Sequence, residues 1–172
     1  MEVIIQDPYP YVEFLSGVMG LVLIIFIHGI GVRQITREFN TRWTRMQPRV
    51  SAWHVNLLFG LVIAALVALH LVETLVFAAA ISMAGLLPWP RDSYYFVMES
   101  YTTLGANLVM MPEGWRLAGP IIGMAGLFTF GWTSSVLVSV MSDISRHDRA
   151  QAIDEARREA IEEAEAPSRT EA

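Results

Sequence analysis

From Trp53 to Leu87 the chain runs WHVNLLFGLVIAALVALHLVETLVFAAAISMAGLL, 35 residues in which Glu73 is the only acid or base apart from two histidines. A hydrocarbon core about 30 Å thick is crossed by about 20 apolar residues in a helix. This run exceeds that need, so it can span a bilayer and then tilt or project beyond it; Pro88 and Pro90 are expected to end it. Two other segments meet the same requirement. One is residues 11–32, YVEFLSGVMGLVLIIFIHGIGV, with Glu13 near one end and His28 near the other; the second is residues 117–141. In hydrocarbon every backbone N–H and C=O must be satisfied within its own segment, which selects helices. The fold class read from these runs is an all-α membrane protein with three transmembrane helices.

Composition agrees. Of the 172 residues, 53% are hydrophobic, a share expected of a membrane chain. Cysteine is absent, which excludes disulfides, thiolate metal sites and thiol nucleophiles. The chain starts Met1-Glu2-Val3 and adds Asp7 and Glu13. That is the wrong sign for the basic opening of a secretory signal, so residues 1–10 read as an extracytoplasmic lead-in and the first span as retained.

All 12 basic residues are arginines, and five of them (Arg33, Arg37, Arg42, Arg45, Arg49) crowd the 33–52 segment against a single acid, Glu38. Read as a short polar loop, that segment is cytoplasmic by the positive-inside rule and meets anionic lipid, not nucleic acid. The N-terminus is then outside, residues 88–116 are outside, and residues 142–172 form a charged cytoplasmic tail. Trp53, Trp89 and Trp115 sit at span ends as interfacial anchors. The tail is rich in alanine, glutamate and arginine, which favours helix; Ile153, Ala156, Ala160 and Ala164 make only a thin apolar stripe.

Between the second and third spans lies YYFVMESYTTLGANL, residues 94–108. It is too short to cross a bilayer and too aromatic for an ordinary loop. Asp92 or Ser93 can cap a helix start, and Gly105 can stop that helix by taking left-handed angles. Two arrangements are compatible with these residues: an amphipathic helix flat on the interface, or a half-helix dipping into the membrane.

The order of "ALHLVETLVFA", "YYFVMESYTTLG", "MPEGWRLAGP" and "GLFTFGWTSSVL" over residues 20–141 resembles small bacterial proteins of the potassium-channel family, with an extra first span before an outer helix, a pore loop and an inner helix. The resemblance implies a potassium-channel-like pore module: an outer helix over 53–87, a re-entrant pore helix and filter-like loop over 92–108, and an inner helix over 117–141. It further implies a homotetramer in the bacterial inner membrane, no enzymatic activity, and no cofactor other than a permeant cation such as potassium. The family filter reads Thr-x-Gly-Tyr-Gly-Asp. Thr103, Leu104 and Gly105, preceded by Thr102, match its opening, where carbonyls and a hydroxyl replace an ion's water shell. Ala106, Asn107 and Leu108 stand in place of Tyr, Gly and Asp. Asparagine tolerates left-handed angles, but alanine cannot build the aromatic cuff with Tyr95 and Phe96, and leucine accepts no hydrogen bond. Glu99 matches a position that in some relatives holds a glutamate paired to the missing aspartate. The resemblance therefore implies conduction of monovalent cations with weak or altered selectivity, or alternatively a non-conducting subunit that keeps the fold. An inner-helix glycine serves as a gating hinge in that family, which points to Gly126 or Gly131.

His70 and Glu73 lie one helical turn apart, and ionisable groups at that depth face protein or water. One reading is a proton or metal handler joined by His28. The other, preferred here, is an interhelical hydrogen-bonded pair that fixes the pore helix against the outer helix. Gly119 and Gly123 permit close helix approach, and Thr133, Ser134, Ser135 and Ser139 make a polar stripe. No Ser-His-Asp set, phosphate loop or nucleic-acid patch occurs.

Overall fold

A computed structural model describes residues 10–46, 52–106 and 108–165. Its elements are all helical: α1 (Pro10–Met46), α2 (Ala52–Met83), α3 (Pro90–Tyr101), a 3₁₀ turn at Glu113–Trp115, and α4 (Ala118–Glu165). Three of the helices, α1, α2 and α4, are long and apolar enough to cross a membrane. The chain divides into two units, one ending at Val136 and the other beginning at Leu137. The second unit is helical throughout its described residues, with Ile153 68% exposed.

The break expected after Val32 does not form. Helix α1 spans 37 residues, about 55 Å, and so absorbs most of the arginine-rich segment; only 47–51 of the expected 33–52 loop lies outside the described residues. No glycine or proline interrupts residues 32–46. Glu38 and Arg42 pair one turn apart at 2.7 Å. Phe39 stacks on Trp43 and is 2% exposed, because residues of α2 from Leu58 to Ala65 line the same hollow. An apolar contact in the middle of a polar stretch keeps the helix going.

The second helix stops at Met83, before the prolines expected to end it. Gly85 takes φ +67°, with its N–H on the Ser82 carbonyl and the Leu86 N–H on the Ile81 carbonyl. This paired closure is the Schellman motif, which needs a residue in the left-handed region. Helix α3 also starts earlier than expected. Trp89 is the flanking residue and Pro90 occupies the first turn, where its missing N–H costs nothing; neither Asp92 nor Ser93 caps it. The lead-in before Pro10, Asn107 of the filter-like loop, and residues 166–172 lie outside the described residues.

Helix α3 is 12 residues long, about 18 Å. Ser93, Val97 and Tyr101, at four-residue intervals, are at most 1% exposed. That face enters the main apolar cluster with Ile24 of α1, Phe77 and Ile81 of α2, and Ile122 and Ala125 of α4. Helix α4 meets it with small residues. A Cβ on Gly123 would lie 3.2 Å from the Ser100 carbonyl oxygen, and one on Gly126 would clash with the Tyr101 carbonyl oxygen. At the start of α4, the Glu13 carboxylate of α1 accepts a hydrogen bond from the Leu117 N–H. A carboxylate there satisfies a free donor at a helix start and opposes the positive end of its dipole.

Candidate functional site

The short helix ends where the polar residues of the spans converge. Glu73 is 0% exposed, and His28, at 0%, lies 2.8 Å away from Nδ1 to Oε1. The second carboxylate oxygen accepts from the Tyr101 hydroxyl at 2.5 Å. The same hydroxyl lies 2.9 Å from His70 Nδ1 and 2.6 Å from the Thr129 hydroxyl. His70 Nε2 is 3.0 Å from the Thr133 hydroxyl, which is in turn 3.4 Å from His28 Nε2. His28, Glu73, Tyr101, His70 and Thr133 thus form a closed circuit that returns to His28 and draws on all four helices. Phe130 stacks on His70 with centroids 4.5 Å apart, and the Trp132 ring lies 5.6 Å from His28, so apolar rings flank the polar knot.

Helical spacing explains the assembly. His70 and Glu73 share a face because they are three apart, Thr129 and Thr133 because they are four apart. Tyr101 is the last residue of α3, so its hydroxyl fixes the tip of the short helix. A buried polar group without a partner is costly; here the ring atoms satisfy one another. One ligand atom from each of His28, His70 and Glu73 lies within 4.8 Å of the others, but their nitrogens and oxygens are already engaged in the circuit. The interhelical pair expected of His70 and Glu73 is therefore part of a larger network that includes His28. Tyr101 and Thr129 were not singled out from sequence; the four-residue spacing of Thr129 and Thr133 was the available signal.

The loop after α3 is closed by a second Schellman motif. The Thr103 N–H bonds to the Ser100 carbonyl and the Leu104 N–H to the Glu99 carbonyl, at 3.0 and 2.9 Å. The left-handed position is Thr103 itself, at φ +56°, with Gly105 also left-handed at φ +65°. A β-branched residue at positive φ is an outlier. Thr102, Thr103, Leu104, Gly105, Ala106 and Leu108 are all exposed, so the filter-like residues sit on the surface of a single copy and are not drawn into the polar knot. Of the expected supports, Phe96 is buried and Tyr95 is 43% exposed. Glu99 is 6% exposed, and its Oε1 has no hydrogen-bond partner among the described residues. It borders a cavity of about 430 Å³ behind the loop, with Phe96, Thr103, Gly105 and Gly123 in the wall. Gly126 serves the close approach to Tyr101, whereas Gly131 has no atom within 4 Å of a Cβ position.

Comparison with protein-family models, curated proteins and solved structures gives no match.

Proposed function

We propose that the chain is a pore-loop membrane protein. Its short helix would be a re-entrant half-helix, and several copies, four by the channel resemblance, would surround a common axis and pass monovalent cations with weak or altered selectivity. The observation that carries this reading is the seat of Tyr101 beside His70 and Glu73. Glu73 lies ten residues from the end of α2 at Met83, about 15 Å along the axis, which is half of a 30 Å hydrocarbon layer. The irregular backbone from Thr102 onward then lies at membrane depth, where it is tolerated only against protein or water. One copy leaves those residues exposed, so other copies are needed to enclose them. The loop follows the C-terminal end of α3, and the negative end of a helix dipole favours cations. By the positive-inside rule the N-terminus is outside and the tail cytoplasmic, in a bacterial inner membrane.

One observation favours a second reading, a channel fold that does not conduct. Leu104, Leu108 and Met110 are 69–71% exposed on the loop, and an apolar constriction can close a pore by dewetting.

Native mass spectrometry and liposome flux test both. The pore reading expects a tetramer, potassium and sodium flux with little preference between them, and a shift toward potassium in the variant Ala106→Tyr/Asn107→Gly/Leu108→Asp. A monomer defeats it. A tetramer silent to both ions, before and after that replacement, leaves the non-conducting reading.

A further inference from the structure

The polar circuit has a proton requirement that its geometry makes countable. Its contacts are His28 to Glu73, Glu73 to Tyr101, Tyr101 to His70, His70 to Thr133 and Thr133 to His28. Each of the five needs one proton between its two heavy atoms. With Glu73 ionised and both imidazoles neutral, the side chains supply four: one from each histidine, one from Tyr101 and one from Thr133. Thr129 has one hydroxyl proton; given to the Tyr101 oxygen 2.6 Å away, it satisfies that contact and leaves the count for the ring unchanged.

The directions are also set. Tyr101 donates to Glu73, so the Tyr101 oxygen accepts from His70 Nδ1–H. A neutral His70 then presents Nε2 as an acceptor, and the Thr133 hydroxyl donates to it. Thr133 has no proton left for His28, while Glu73 Oε1 needs one from the other side of that ring. For every contact to be made, including the 3.4 Å one to Thr133, His28 carries a proton on both nitrogens or Glu73 carries the one between them. Without that fifth proton the circuit has an open contact and a net charge of −1 at residues that are 0% exposed. The other titratable groups on the circuit are His70 from the same helix and Tyr101 from α3; α4 contributes only Thr129 and Thr133. Among the described residues Glu73 is paired with no arginine. A buried charge without compensation is strongly disfavoured.

We infer that this site binds a single exchangeable proton, shared by His28 and Glu73, and that this proton is what closes the clamp holding the tip of the short helix to all three spans. The site is a proton-binding site in its own right. It stands independently of conduction, because nothing in the count involves a pore, and its tests read protonation and stability instead of flux.

The unaltered ring can be examined directly. A chain carrying His54→Gln and His147→Gln keeps only the two ring histidines. With ¹⁵N-histidine labelling at pH 7 and an infrared difference spectrum against Glu73→Gln, one shared proton gives one of two patterns. Either one imidazole is doubly protonated and Glu73 is a carboxylate, or both imidazoles are singly protonated and Glu73 is the acid. Any other proton count overturns the inference, as does one equivalent of bound metal in the same sample. A substitution cycle gives a second test. His28→Gln is expected to lower the melting temperature by about 10 °C, the scale set by stranding a buried charge in a chain of this size. The double variant His28→Gln/Glu73→Gln, which removes the charge together with its partner, is expected to recover at least half of that loss. A double variant no better than His28→Gln alone refutes the shared proton, whatever the flux assays return.

Discussion

One side chain carries unusual weight in this molecule, and another position matters because it has no side chain. The Tyr101 hydroxyl touches Glu73, His70 and Thr129. Tyr101→Phe keeps the ring but strands those groups, so a loss of about 2–3 kcal/mol is expected in detergent melts. Gly126 is required because a Cβ there would clash with the Tyr101 carbonyl oxygen. Backbone cannot yield as a flexible side chain can, and Gly126→Ala is expected to cost at least about 1–3 kcal/mol. Gly131→Ala, with open space around it, is expected to be neutral or to gain up to about 1 kcal/mol from helix propensity. Equal losses at the two glycines would show that the helix approach is described wrongly.

The ends of the helices repay comparison with one another. Helices α2 and α3 close with the same hydrogen-bond pattern, yet one places glycine and the other threonine at the left-handed position. A β-branched residue there stores roughly 1–2 kcal/mol, a kind of strain that gathers at functional segments. Thr103→Gly is accordingly expected to raise the melting temperature by about 2–4 °C while altering whatever the loop does; a lower melting temperature would mean that the threonine side chain contributes more than its backbone costs. At the start of α4, the cap comes from a different helix altogether, through Glu13 and the Leu117 N–H. Glu13→Ala should cost about 1 kcal/mol, the usual loss when a helix-start donor is uncapped. No local signal in the sequence joins residues 13 and 117, whereas Gly85 is a local stop that acts before the prolines that follow it.

The described residues 152–163 are exposed, and deletion of residues 152–172 is expected to leave the melting temperature within about 2 °C and the oligomeric state, whatever it is, unchanged; a change in oligomeric state would show that the tail takes part in self-association. The three long apolar helices were legible without coordinates, because the length of an apolar run and the cost of unsatisfied backbone in hydrocarbon are local properties. The shared face of His70 and Glu73 was legible for the same reason, through their spacing on one helix. What the linear order could not disclose was the meeting of residues 101, 129 and 133 with His28, His70 and Glu73, or the extension of α1 through its arginines to Met46. Both depend on which faces pack together. A polar side chain in an apolar helix announces that it needs a partner, and only the packing of four helices decides which one it finds.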